Sequence, residues 1–194
     1  MKRLTTLIGT LLLTTATFGH PAGPGVSNAK VAELSAHRID RLVALGKIDD
    51  SFLKNAQTLE VTVVENQAPV FYKVRVLQPN PAQGNPLQLD ISFDDDGKPL
   101  AYQVAAGGVA GPDQAWPDKD AVTLTENCMH YVLENNADAK TALFDKGLTS
   151  FNLTKGTLNG NTVAHGLMSS SLTNEKLNIY LMLDGTFISA EVTQ

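Results

Sequence analysis

Leu87-Gln-Leu-Asp-Ile-Ser-Phe-Asp-Asp-Asp-Gly-Lys-Pro-Leu-Ala-Tyr-Gln-Val104 and Leu177-Asn-Ile-Tyr-Leu-Met-Leu-Asp-Gly-Thr-Phe-Ile-Ser-Ala-Glu-Val192 are written to one plan. Each reads as an alternating strand, an Asp-Gly turn and a returning strand, because side chains alternate across a strand and Asp-Gly tolerates the positive φ of a tight hairpin. Similar segments at two places in a chain of 194 residues point to an internal repeat.

Working outward, each hairpin is preceded by the same order of elements. In the first half, Ser27 or Asn28 can cap a helix in which Val31, Leu34, Ile39, Leu42, Val43 and Leu45 recur at three- and four-residue spacing, with Gly46 as its stop. A short helical turn near Lys47–Lys54 follows. Leu59, Val61 and Val63 then alternate with polar residues, Asn66–Pro69 turns, and Tyr72, Val74 and Val76 return. Ala105–Pro117 is rich in Gly, Ala and Pro and reads as a linker. Beyond it, Asp118 or Asp120 can cap a second helix with Ala121, Leu124, Thr125, Cys128, Tyr131 and Val132 on one stripe, and Ala137–Lys146 gives a second short helix. Phe151 and Leu153, then Val163 and Leu167 across the Asn159-Gly160-Asn161 turn, supply a hairpin before the final one. The expected fold is α+β: two tandem repeats, residues 27–104 and 118–194, each a helix packed on a four-stranded antiparallel sheet, joined by linker 105–117.

The first nineteen residues read as a cleaved secretory signal. Lys2 and Arg3 make a positive start, Leu7–Leu13 an apolar stretch, and small residues follow, so cleavage is expected after Ala16 or, preferably, after Gly19. That leaves residues 20–26 as a Pro/Gly-rich leader beginning at His20, and places the mature protein in the periplasm or outside the cell. No other run approaches the roughly 20 apolar residues of a membrane helix. The formal net charge of −5 becomes −7 once Lys2 and Arg3 are removed, which argues against nucleic acid and anionic membranes as partners. Cys128 is the single cysteine, so no internal disulfide can form.

With these elements in place, each half resembles the small helix-plus-antiparallel-sheet domains of secreted bacterial proteins, the PepSY-type domains among them. The final Leu-x-Leu-Asp-Gly-x-Phe-Ile-x-Ala is also similar to the ending of small exported bacterial proteins without an assigned function. The resemblance implies a binding or inhibitory module outside the cytoplasm and carries no catalytic residue.

The chemical motifs support the same reading. Ser92, Asp94 and Asp96 before Gly97 imitate part of a calcium loop, but Gln103 stands where an EF-hand needs its bidentate Glu, so a hairpin turn is the better description. His37, His130 and His165 show no i, i+4 pairing with one another, and Cys128 and His130 fall on different sides of a helix, so no metal centre or other cofactor is expected. His20 as a mature N-terminus offers an amine and an imidazole to copper(II), which keeps a copper carrier or copper enzyme as the alternative. Cys128 on an apolar helical stripe is a buried small hydrophobe. No Gly-x-Ser-x-Gly motif and no phosphate-cradling glycine loop occurs, and no enzymatic activity is expected.

A contrast between the two halves gives the functional expectation. Glu60, Thr62, Lys73, Arg75, Gln88, Asp90 and Gln103 line the outward face of the first sheet, whereas Ala164, Met168, Tyr180 and Met182 are expected on that of the second. An apolar outward face is either covered by the rest of the chain or built to bind. The binding version joins Met168, Tyr180 and Met182 with Trp116 on the linker, since Met, Tyr and Trp are favoured in contacts. The expected function is a non-catalytic exported module that binds an unidentified protein or small ligand of the cell envelope through one sheet face.

Overall fold

Two helices lie side by side over the middle of one wide antiparallel sheet. The computed structural model describes residues 25–55, 58–64, 71–78, 84–111, 116 and 118–194. The signal segment, His20, most of the leader and the Asn66–Pro69 turn lie outside the described residues. In chain order the elements are α1 (Asn28–Ala44), α2 (Ser51–Lys54), β1 (Thr58–Val64), β2 (Phe71–Gln78), β3 (Leu87–Asp94), β4 (Pro99–Val104), α3 (Ala121–Glu134), α4 (Thr141–Gly147), β5 (Leu148–Leu158), β6 (Asn161–Ser170), β7 (Thr173–Leu181) and β8 (Phe187–Thr193).

The helix starts follow from capping. The Ser27 hydroxyl accepts from the Lys30 amide at 3.2 Å and the Asp120 carboxylate from the Thr123 amide at 2.8 Å, so each satisfies a donor that the first helical turn leaves unpaired. Asn159 and Gly160 both adopt positive φ, the geometry that a two-residue turn needs to match the twist of β5 and β6. Asp94 organises the turn between β3 and β4: the Gly97 amide donates to its carbonyl at 3.0 Å and the Lys98 amide to its carboxylate at 2.7 Å.

The expectation of two separate helix-on-four-strand repeats is corrected. The eight strands form a single sheet in the order β4-β3-β2-β1-β5-β6-β7-β8. β1 pairs directly with β5, bringing Thr58, Glu60 and Leu59 opposite Asn152, Ser150 and Phe151. Leu59 and Phe151 are both fully buried there, so pairing at this seam removes apolar surface that two separate sheets would leave on exposed edges. α1 and α3 pack against each other above the seam, and the buried residues of both halves form one continuous core. Asn28 ties the halves together by donating from Nδ2 to the Leu148 carbonyl at 2.9 Å.

Strand alternation sorts the sheet into two faces. Leu59, Val61, Tyr72, Val74, Val76, Leu89, Ile91, Phe93, Phe151, Leu153, Met168, Ile179 and Leu181 point towards the helices and are buried. β6 departs from the expected register. Ala164 and Met168, rather than Val163 and Leu167, occupy the helix side, because they stand opposite Lys155 and Phe151 on β5 and Leu181 and Leu177 on β7. The cause is steric. Gly166 lies between them, and a Cβ placed there would come within 2.8 Å of both Cys128 Sγ on α3 and the Phe151 ring. Small residues on β6 therefore let α3 approach the sheet.

The helices do not reach the edges of the sheet. Seven inter-strand spacings of about 4.8 Å make it roughly 34 Å wide, while two adjacent helices cover roughly 20 Å. The outermost strands overhang, which leaves Tyr102 and Val104 of β4 and Phe187 of β8 exposed on the side that elsewhere is core.

Candidate functional site

The sheet face away from the helices carries no packed element among the described residues, and its two halves differ in chemistry. On the β1–β3 side, Asp90 is held by Lys73 Nζ at 3.0 Å and Arg75 Nε at 3.1 Å, with Gln88 Nε2 donating at 3.1 Å. Burial alone would raise the Asp90 carboxyl, but these two cations outweigh it and hold the group below the usual carboxylate range. This half is a self-satisfied ion-pair raft.

On the β6–β8 side the face is aromatic and amide-rich. His165 and Tyr180, directly opposite across β6 and β7, stack with ring centroids 4.8 Å apart and planes 9° from parallel. His165 Nε2 donates to Asn178 Oδ1 at 2.9 Å, and Asn178 Nδ2 donates to Thr193 Oγ1 at 3.0 Å, which fixes the ring orientation. The Tyr180 hydroxyl donates to Glu191 at 3.3 Å. Partial burial and then the Glu191 charge push the phenol above its ordinary range, so it remains a hydrogen-bond donor at neutral pH. Leu167 and Met182 extend the apolar part of this face, and Met182 is about half exposed at 47%.

The four expected binding residues separate into two pairs. Tyr180 and Met182 share the open face, two positions apart on adjoining segments. Met168 faces the helices and is fully buried, which corrects its expected outward position: the register of β6 is shifted by one residue. Trp116 is also buried, on the helix side, with Lys155 Nζ 5.2 Å from its ring centre. Its indole N–H has no hydrogen-bond partner among the described residues. Ala164, likewise expected outward, belongs to the core for the same reason as Met168.

A second concave region lies where the sheet overhangs α3. It has a volume of about 530 Å³ and is lined by Asn127, His130, Tyr131, Glu134, Leu181 and Phe187. Tyr131 and Phe187 stack across it at 4.8 Å.

The seam between α1 and α3 holds a cross-helix arrangement that the separate reading of each helix missed. His37 Nδ1 lies 2.9 Å from Glu126, and His130 Nδ1 lies 4.0 Å from Glu33, so each helix contributes one carboxylate and one imidazole to the other. His130 also meets Glu134 at 2.9 Å, and Lys30 pairs with Glu33. Burial raises the Glu126 carboxyl, His37 partly offsets that, and Asp40, Asp120 and Glu33 add to the rise. Glu33-x-x-x-His37 and Glu126-x-x-x-His130 share one spacing, which is the signal that identifies the arrangement in the sequence. No group of three His, Cys, Asp or Glu among the described residues is placed to hold a metal ion. His20 lies outside those residues.

Cys128 is completely buried beneath Gly166, and desolvation pushes its thiol far above the ordinary range. Native protein is therefore expected to resist a thiol reagent such as DTNB and to react with one equivalent only on unfolding. Rapid stoichiometric labelling under native conditions would show that α3 does not seal this part of the core.

No family model matches the chain, and no curated protein matches it. Among solved structures, the chain is similar to a protein of Clostridium difficile 630 provisionally described as a lipoprotein, at 12% identity and a TM-score of 0.28, over 80% of this chain and 92% of that one. A likeness at that level assigns neither fold nor function. No helix among the described residues is long and apolar enough to cross a membrane.

Proposed function

We propose that this protein is an exported, non-catalytic binding module that engages a protein of the cell envelope through the open face of its sheet. The observation that carries the reading is the Tyr180–His165 platform with Met182 beside it, set on a face that no described element covers. The alternating polar and apolar pattern of β6–β8 places these rings and amides side by side. The neighbouring strands hold them flat by pairing, and the helices behind the sheet make the surface rigid. A face roughly 34 Å by 20 Å is comparable with the roughly 800 Å² that each partner contributes to a standard interface. Tyr and Met in such a position offer large contact area at low ordering cost. The hydrogen bonds of Asn178, His165 and Glu191 already fix the rim.

A photo-crosslinking side chain placed at Met182 in the native host is expected to give a discrete protein adduct, absent when it is placed at exposed Lys47. Tyr180→Lys is expected to remove the adduct while shifting the melting temperature by no more than about 3 °C, since a surface substitution costs roughly 0.5 kcal/mol. An adduct unaffected by Tyr180→Lys, or a collapse of the fold on that substitution, would overturn the reading.

A further inference from the structure

Among the described residues, the flank of the molecule opposite the α3 overhang combines a free strand edge, an apolar groove and arginines without counter-charges. Among the described strands β4 pairs with β3 only, and all six of its residues are exposed. The Ala105 amide donates to the Gln88 carbonyl at 2.9 Å, and antiparallel hydrogen bonds alternate, so the backbone groups of Gln103 and Ala101 point at β3 while those of Tyr102 and Val104 point outward. No described residue pairs with them. Exposed edges are usually protected by charge, proline or a bulge within the strand, yet residues 100–110 contain no charged side chain. The Pro99 start and the irregularity at Ser92/Phe93 blunt only one end of the strand.

Above this edge, on the helix side, Leu34, Phe93 and Pro99 floor a groove of about 160 Å³ whose rim carries His37, Arg38 and Arg41. The Arg38 guanidinium sits 6.0 Å from the Tyr102 ring centre, and its Nε is buried without an acceptor among the described residues. His37 is engaged by Glu126. Neither arginine lies within ion-pair distance of a carboxylate among the described residues, in a chain with 20 acidic residues and a net charge of −5. Arginine holds its charge at any physiological pH and binds carboxylates through a planar fork, so a buried Nε with nothing to bond marks a place for an acceptor.

We infer that the β4 edge and the adjoining arginine groove form a docking surface for an extended acidic segment of a partner protein, which adds as a ninth strand. Main-chain hydrogen bonds to Tyr102 and Val104 supply a sequence-tolerant part of the affinity. Alternate side chains of the added strand fall on the helix side, where carboxylates meet Arg38 and Arg41 beside Tyr102, while the intervening apolar side chains fall on the open side of the sheet. Charge complementarity selects an acidic segment over a second copy of this chain, whose own β4 edge carries no carboxylate to offer.

The probe is a fluorescent capped heptapeptide alternating Val with Glu, measured by anisotropy against the full chain, with the Val/Lys peptide as control. The Glu peptide is expected to bind at least about tenfold more tightly than the Lys peptide. Replacing both arginines (Arg38→Gln with Arg41→Gln) should weaken it by about tenfold or more through loss of charge-assisted bonds. Val104→Pro removes an outward N–H, at a place where an edge strand tolerates proline, and should weaken binding to a similar extent. Equal affinity for the two peptides, no saturable binding, or binding unchanged in the arginine variant would overturn the proposal. Concentration-dependent dimerisation that Val104→Pro abolishes, without peptide binding, would also overturn it by assigning the edge to a second copy. If Val104→Pro fails to fold, the arginine variant alone decides.

Discussion

Gly166→Val is expected to lower the unfolding free energy by roughly 3 kcal/mol or more, at the upper end of what overpacking costs. The glycine stands on the helix side of β6, and its missing Cβ is what admits α3. A Cβ alone would come within 2.8 Å of Cys128 Sγ and of the Phe151 ring, and the two methyls of valine add further overlap. Neither neighbour has room to give way, because both are fully buried. Gly156→Ala, on the open side of β5, is the control. There a Cβ meets His165 Cβ at 3.3 Å and Val163 at 3.7 Å, so the change should stay within about 1 kcal/mol of wild type. Urea denaturation of both variants measures the difference. Similar midpoints would mean that α3 does not bear on β6 as closely as described.

Phe151→Ala should be costlier still, at roughly 3–5 kcal/mol for loss of a fully buried aromatic ring. Phe151 stands opposite Leu59 on one side and Met168 on the other, so its ring fills the space where the two halves of the sheet meet beneath the helices. Phe187→Ala, which removes an equal ring from an overhanging strand where it is 47% exposed, should cost well under half as much. Amide hydrogen exchange adds a local readout. In Phe151→Ala, protection should fall first at Leu59 and Glu60, across the seam. Uniform loss over β7 and β8 instead would place the weak point elsewhere.

Much of the element list was legible because its signals are local. Ser27 and Asp120 cap where a short polar side chain must, Asn159-Gly160 turns where positive φ is required, and Leu89-x-Ile91-x-Phe93 alternates as a strand with one dry face does. The union of the strands into one sheet was not legible. Leu59, Val61 and Val63 alternate in the same way whether β1 ends a four-stranded sheet or sits at the centre of eight, because alternation reports faces and not neighbours. β6 shows a related limit. Val163, Ala164, Leu167 and Met168 place apolar groups on both faces, so hydrophobicity could not choose the register, and the steric demand at Gly166 did. Trp116 was read as exposed because it lies in a Pro/Gly-rich stretch, although its ring packs into the core. Of the candidate site, Tyr180 and Met182 were readable from the final hairpin. The His37–Glu126 contact depends on α1 and α3 being neighbours, and the distance of Arg38 from every described carboxylate depends on how distant parts of the chain come together.

The seam of β1 and β5 has a consequence for how the chain reaches this state. It consists of three residue pairs, and it joins Thr58 to Asn152 across 94 residues of sequence, whereas the hairpins on either side close over short turns. Loop closure over such a distance is entropically expensive until local structure has shortened it, so the seam belongs to the late part of folding. Until it closes, each half carries two bare strand edges. Afterwards the molecule has two in place of four, and the pair that disappears is the apolar one around Leu59 and Phe151, where misassembly with another chain would be easiest.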